Sequence, residues 1–151
     1  MKRIILKFFL CLCIVAAWPC YAQNSVHYYF RTMDIRNGLS QNTVYQILQD
    51  RKGFMWFGTK DGLNRYDGVA FRVYKKENSG LGKNFITALY EDHEGNIWIG
   101  TDGGVFIYDP VRDSFTAFDQ VSDKGTTVRD FVTMIGSDDQ DNIWISVENQ
   151  G

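Results

Sequence analysis

Short apolar runs separated by tight turns make up the chain from residue 44 onward. In the first unit this pattern predicts four β-strands, at residues 44–49, 54–59, 63–66 and 69–74. The turns between them are rich in aspartate and glycine and consist of Asp50-Arg51-Lys52-Gly53, Lys60-Asp61-Gly62 and Asp67-Gly68. A polar stretch at residues 75–83 leads to the next unit. No 11-residue window after residue 22 keeps the apolar spacing of an amphipathic helix, so an all-β fold is predicted.

The same unit occurs again 42 residues later. Residues 38–67 and 80–109 share 11 identities in 30 positions, where average residue usage gives roughly two by chance. A third copy opens at Asp138 and includes Ile143-Trp144-Ile145, with Trp144 placed 46 residues after Trp98. Periods of this length are typical of four-stranded propeller blades. The chain is therefore predicted to be a partial β-propeller with about two and a half four-stranded antiparallel blades.

The predicted domain boundaries follow the repeat. A signal peptide at 1–22 and a lead-in at 23–37 are followed by repeats at 38–79, 80–125 and 126–151, the last of them truncated. Because stacked repeats need about three units to bury their faces, and propellers four or more blades to close, we expect the sequence to be part of a longer chain.

The first 22 residues have the pattern of an export signal. Lys2, Arg3 and Lys7 precede an apolar run at residues 8–18, which is too short to span a bilayer. Small residues place the predicted cleavage between Ala22 and Gln23, and the alternative is an uncleaved membrane anchor. All three cysteines lie in this segment, so the mature chain is expected to fold by packing alone in the periplasm.

Charge excludes one class of partner. The chain has 16 basic and 18 acidic side chains, and removal of the three basic residues of the signal leaves 13 against 18, a net charge of −5. A weakly acidic domain is not expected to bind nucleic acid.

Most recurring residues have a structural interpretation. Asp50, Asp92 and Asp138 each stand six residues before a tryptophan, and two roles are open: a calcium-binding loop, or a turn in which the carboxylate accepts backbone N–H groups. Recurrence in every copy favours the turn, and continuous apolar strands predict that the tryptophans pack between blades. The structural repeat positions are Asp50, Gly53, Trp56, Gly58, Gly62, Tyr66, Asp92, Gly95, Trp98, Gly100, Gly104, Tyr108, Asp138 and Trp144. The third copy departs from the pattern, with Asp141 in place of the turn glycine.

Candidate chemistry is sparse. His27 and His93, the two histidines, are far apart and have no partner at metal-ligand spacing. No serine has a nucleophile-elbow context, and no glycine-rich loop precedes a helix. The sequence therefore predicts no catalytic residue, no metal and no cofactor, and its ligand-binding residues stay unknown. This chain is not expected to be an enzyme.

The motifs resemble a known family. Residues 38–42 and 47–68, together with 92–101, closely resemble the two-component regulator propeller repeat. The resemblance implies the N-terminal periplasmic sensor of a hybrid two-component histidine kinase from glycan-degrading bacteria, detecting oligosaccharides and regulating polysaccharide utilisation. It also implies further blades, a downstream transmembrane helix in the inner membrane, kinase and receiver domains, and a homodimer. Two alternatives are a free-standing periplasmic propeller that binds glycan or protein, and a propeller lyase or hydrolase.

Overall fold

The computed structural model describes residues 27–121 and 127–148. The predicted signal peptide and its cleavage site at Ala22 and Gln23 lie outside the described residues. The chain divides into two units, residues 1–31 and 32–151. The described part of the first unit, residues 27–31, is exposed and has no regular secondary structure.

The second unit consists almost entirely of strands. A 3₁₀ turn at Ile35–Asn37 precedes the first strand, and a one-turn helix, α1 (Phe118–Val121), follows the eighth. The strands are β1 (Val44–Gln49), β2 (Met55–Thr59), β3 (Gly62–Tyr66), β4 (Phe71–Tyr74), β5 (Ile86–Glu91), β6 (Ile97–Thr101), β7 (Gly104–Asp109), β8 (Ser114–Ala117), β9 (Val132–Ser137) and β10 (Ile143–Val147).

The strands form three antiparallel sheets in chain order. Strands β1 to β4 form the first sheet, β5 to β8 the second, and β9 pairs with β10 in a third sheet of two strands. The first strands of successive sheets are neighbours, since β1 contacts β5 and β5 contacts β9. This is the architecture of consecutive propeller blades, and it confirms the predicted all-β, partial β-propeller fold.

No helix in the described residues is long and apolar enough to cross a membrane.

The fourth strand begins later than the sequence pattern predicts. Residues 69–74 are predicted as a strand, but β4 starts at Phe71. The Asp67 carboxylate accepts the backbone N–H groups of Val69 and Ala70, both at 2.8 Å, which extends the turn. Val69 is 86% exposed as a result. A side-chain hydrogen bond to the backbone thus overrides the alternating pattern of the strand.

The main core lies between the first two sheets. It contains Trp56, Leu63 and Tyr74 of the first sheet, Ile86, Ile97, Ile99 and Tyr108 of the second, and Leu81 from the loop that connects them. A smaller core joins the second and third sheets through Ala88, Val105, Val132 and Ile135. The prediction that the repeated tryptophans pack between blades holds for Trp56, which is 1% exposed, and for Trp98, which is half-buried against the smaller core. Trp144, by contrast, is 66% exposed.

Glycine sets the spacing between successive sheets. A Cβ atom placed on Gly58 would lie 2.7 Å from Cγ2 of Ile86, the first residue of β5. The equivalent glycine of the second sheet, Gly100, has the same relation to Val132, again at 2.7 Å. Any larger residue would push the next sheet away.

Candidate functional site

Each sheet has the same aspartate-centred turn between its first and second strands. In the first sheet, Oδ2 of Asp50 accepts a hydrogen bond from the indole Nε1 of Trp56 at 2.8 Å. Oδ1 of Asp50 accepts the backbone N–H groups of Lys52 at 3.0 Å and Phe54 at 2.9 Å. One carboxylate thereby fixes both the turn and the tryptophan that follows it.

The other two copies repeat this geometry. The indole of Trp98 donates to Asp92 at 2.8 Å, and that of Trp144 donates to Asp138 at 3.0 Å. Gly53 and Gly95 lie in the left-handed backbone region, and in the third copy Asp141 takes this conformation with a φ of 61°. The turn is preserved without glycine, in a conformation that costs a residue with a Cβ atom free energy.

The donors within each turn occupy the carboxylates. Hydrogen bonds from the Asn142 amide and the Trp144 indole lower the pKa of Asp138 to about 2. Partial burial raises the pKa of Asp92, but hydrogen bonds from Trp98 and Asn96 outweigh it, and the pKa is lower than usual. Across residues 27–121 and 127–148, no group of three or more histidine, cysteine, aspartate or glutamate side chains is placed to hold a metal ion.

The turn of the third sheet is expected to open in acid. The folded pKa of Asp138, about 2, lies below the usual value of 3.8. The turn is therefore fully stabilised above the unfolded pKa, and this contribution is lost as the pH falls from about 4 towards 2. Carboxyl ¹³C NMR should show Asp138 titrating near pH 2. In Trp144→Phe the midpoint should rise, because the indole donor is missing. A wild-type midpoint at or above 3.8 would contradict the hydrogen bonds described.

A cleft opens between the first two sheets at the end that carries these turns. It has a volume of about 300 Å³, at the lower end for a small-molecule site. Phe54 and Trp56 form part of its apolar wall. Its polar groups include Arg51 and Arg65 of the first sheet and Glu91 of the second. Apolar walls with a few convergent charged groups are typical of ligand-binding clefts.

Arg51 joins the two sheets at the edge of the cleft. Its guanidinium donates to the backbone carbonyls of Asp92 and His93, in the turn of the second sheet. Its Nε atom lies 3.2 Å from Oε1 of Glu91, whose carboxylate also accepts the Arg51 backbone N–H. The two turns are thus held together by one side chain. The same contact pairs the Glu91 carboxylate with a positive charge.

Arg65 begins a hydrogen-bonded chain across the interface. Its Nη1 donates to the Tyr108 hydroxyl at 2.9 Å, and that hydroxyl donates to Asp113 at 2.7 Å. Asp113 also forms an ion pair with Arg72 at 2.6 Å. Burial, followed by the hydrogen bond to Asp113, raises the pKa of Tyr108, so the hydroxyl keeps its proton and stays a donor.

Three charged residues of the cleft, Arg51, Arg65 and Glu91, are not repeat residues, whereas a fourth, Asp50, is. Positions 51, 65 and 91 carry Arg, Arg and Glu, whereas the equivalent positions in the neighbouring repeat carry His93, Ile107 and Gln49. Of the sequence-predicted repeat positions, Asp50, Gly95, Trp56 and Tyr108 line this cleft. Sequence reasoning assigned no binding residue here. The sequence feature that could have indicated these binding residues is a charged side chain in one repeat at a position where the other repeat has an uncharged one.

A second candidate surface lies where β1, β5 and β9 begin, at the opposite end of these strands from the aspartate-centred turns. The rings of Tyr45 in β1, of Phe85 just before β5 and of Phe131 just before β9 form a row, with centroids 4.9 Å and 5.7 Å apart. Lys60 lies over the Phe85 ring, 5.9 Å from its centroid. Tyr45 is 47% exposed and offers a face on which a sugar ring can stack.

Comparison with known families is consistent with this architecture. Residues 38–61 and 80–103 match the family described as two component regulator propeller. These segments run from the lead-in of each sheet to the turn between its second and third strands. They contain the Asp–Trp turns of the first two sheets.

Similar proteins are much longer than this chain. Histidine kinase P4 of Formosa agariphila is 46% identical over 54 residues, which are 36% of this chain and 4% of that protein. The extracellular domain of a protein described as a hybrid two-component system from B. thetaiotaomicron matches with a TM-score of 0.66 and 32% identity, over 76% of this chain and 17% of that domain. A second extracellular domain from B. thetaiotaomicron, described as a one-component system, gives 0.57 and 31%, over 69% and 15%.

Proposed function

We propose that this chain is the N-terminal sensor portion of a hybrid two-component histidine kinase, because residues 38–61 and 80–103 match the two-component regulator propeller family. The observation that carries this proposal is the pair of repeat matches, each of which falls on one four-stranded sheet. The similarity to the extracellular domains of a hybrid two-component system and of a one-component system supports an exported location, in the periplasm. Kinase and receiver functions are assigned to other domains of the full protein, joined to this one through an inner-membrane helix.

The proposed stimulus is an oligosaccharide released during polysaccharide breakdown. Two features support a ligand of this kind. The cleft between the first two sheets combines apolar walls with charged groups, and the aromatic row at the other end offers a ring face. A ligand held between two sheets would bias how they pack, which is the kind of change that a sensor transmits to a membrane-anchored kinase.

A ligand screen tests this function. The protein, expressed with whatever sequence follows Gly151 in its gene, is mixed with oligosaccharides prepared from neutral and from acidic polysaccharides. A ligand present at 100 times its dissociation constant stabilises the folded state by about 2.7 kcal/mol, so one class should raise the melting temperature by several degrees. The same class should change autophosphorylation of the membrane-embedded protein. Stabilisation without any change in phosphorylation would favour a free-standing binding protein. No stabilisation by either class would contradict saccharide sensing.

A further inference from the structure

The guanidinium of Arg65 has donors to spare inside the cleft. It lies over the Phe54 ring, 4.7 Å from the centroid, and 5.7 Å from that of Trp56. Guanidinium carries five N–H donors, and within the described residues the Tyr108 hydroxyl is the acceptor it meets, at 2.9 Å. No carboxylate of the described residues lies within ion-pair distance of Arg65, because Asp113 pairs with Arg72 instead.

The carboxylates that line the cleft are largely occupied by other donors. Asp50 accepts the Trp56 indole and two backbone N–H groups, and Glu91 is held by Arg51. Glu94, with a side chain that is 68% exposed, accepts from Asn96 and lies 3.9 Å from His93. Lys52, which also lines the cleft, is exposed. The cationic groups left for a ligand are therefore Arg65, inside the cleft, and Lys52 at its edge.

The fold itself does not require an arginine at position 65. The equivalent position in the second sheet is Ile107, which occupies the same register opposite a tryptophan: Trp56 pairs with Arg65, and Trp98 pairs with Ile107. An apolar residue therefore serves the structural role in one sheet. Packing in the first sheet therefore does not need the charge of Arg65, which is available for binding a ligand.

We propose that Arg65 binds the carboxylate or sulfate group of an acidic saccharide in the cleft between the first two sheets, with the sugar ring against the apolar lining of the cleft. This assignment rests on the proposed sensor function and specifies its ligand. Guanidinium matches a planar carboxylate or a sulfate edge with two parallel N–H···O bonds, and partial burial strengthens the pair. The aromatic rings beneath Arg65 hold its plane in place, so little side-chain freedom is lost on binding.

The direct test observes the Arg65 side chain. The Nε–H resonances of the arginines are followed by NMR while the protein, with any sequence that follows Gly151, is titrated with glucuronic acid, glucose 6-sulfate and glucose. Arg65 should shift saturably with at least one acidic sugar and not with glucose, and the two acidic arms separate carboxylate from sulfate recognition. If neither acidic sugar moves Arg65 further than it moves exposed Arg36, the proposal is overturned.

A variant pair separates binding from structure. Arg65→Gln should weaken affinity for the acidic sugar at least tenfold, since the charge and the paired donors are lost. Arg112→Gln is the matched control: Arg112 lies in the turn between β7 and β8, its guanidinium is paired with Asp109, and it does not line the cleft. It should change the affinity less than twofold. Equal losses in both variants would refute a direct contact.

A failure of the Arg65 assignment and a failure of the sensor function give different results. If neutral oligosaccharides stabilise the protein and change phosphorylation while acidic sugars leave Arg65 unaffected, the sensor function stands and the role of Arg65 is refuted. Tyr45→Ala then locates the ligand on the aromatic row. If acidic sugars bind at Arg65 without changing phosphorylation, the cleft assignment stands and the sensor function is refuted.

Discussion

Replacing Trp56 with alanine is expected to lower the free energy of unfolding by about 3–5 kcal/mol, the usual cost of removing a buried aromatic side chain. Trp56 is 1% exposed, and its ring lies 5.1 Å from Tyr108 and 6.0 Å from Tyr74. The substitution removes these contacts and also leaves Asp50 without its indole donor, in a buried position. Urea unfolding followed by far-UV circular dichroism measures the loss.

Two further variants separate packing from hydrogen bonding. Trp56→Phe keeps most of the apolar volume and loses the N–H donor, so it should cost about 1–3 kcal/mol. Trp144→Ala removes the same side chain from the same kind of turn at a position that is 66% exposed, and it should cost less than about 1 kcal/mol. If Trp56→Ala also costs less than about 1 kcal/mol, the interface between the first two sheets is not the one described.

The second large loss of stability is expected when a single methyl group is added at Gly58. Gly58→Ala should lower the free energy of unfolding by about 1–3 kcal/mol, because the new Cβ would lie 2.7 Å from Cγ2 and 3.1 Å from Cβ of Ile86. Part of the contact is with a β-branched side chain on the next sheet, so relief requires the sheets to separate. Thermal and urea unfolding report the loss.

Gly136→Ala is the matched control for this prediction. Gly136 also lies inside a strand, β9, and nothing is within 4 Å of where its Cβ would be. Its substitution should change stability by less than about 0.5 kcal/mol. In a double-mutant cycle, Ile86→Leu removes the Cγ2 methyl and should recover part of the loss caused by Gly58→Ala. Strict additivity of the two variants would mean that these side chains are not in contact.

The sequence predicted those parts of the fold that depend on nearby residues. Strand β1 has the predicted bounds of 44–49, and the repeat correctly gave two four-stranded sheets followed by a third. The start of β4 was predicted two residues early, because the pattern of Val69 and Ala70 does not show that Asp67 captures both backbone N–H groups. Burial of the three tryptophans differs because it depends on the neighbouring sheet, not on the repeat.

The cleft was beyond sequence reasoning for a similar reason. Arg51 and Glu91 are 40 residues apart, and Arg65 and Tyr108 are 43 apart. They meet because two sheets pack face to face, and no spacing within one repeat indicates this. Repetition identified the positions that build each sheet. The charged side chains of the cleft lie mainly at positions where the two copies differ.

The aspartate-centred turn has a consequence for how such a chain grows. Asp50 accepts hydrogen bonds from residues two, four and six positions further along the chain, and the same is true of Asp92 and Asp138. Each turn therefore folds with partners encoded in the same stretch of a gene. A tandem duplication copies the whole turn at once and needs no compensating change elsewhere. New copies can then diverge at inter-sheet positions such as 51 and 65, which lets a lineage acquire new ligand specificities while its scaffold stays intact.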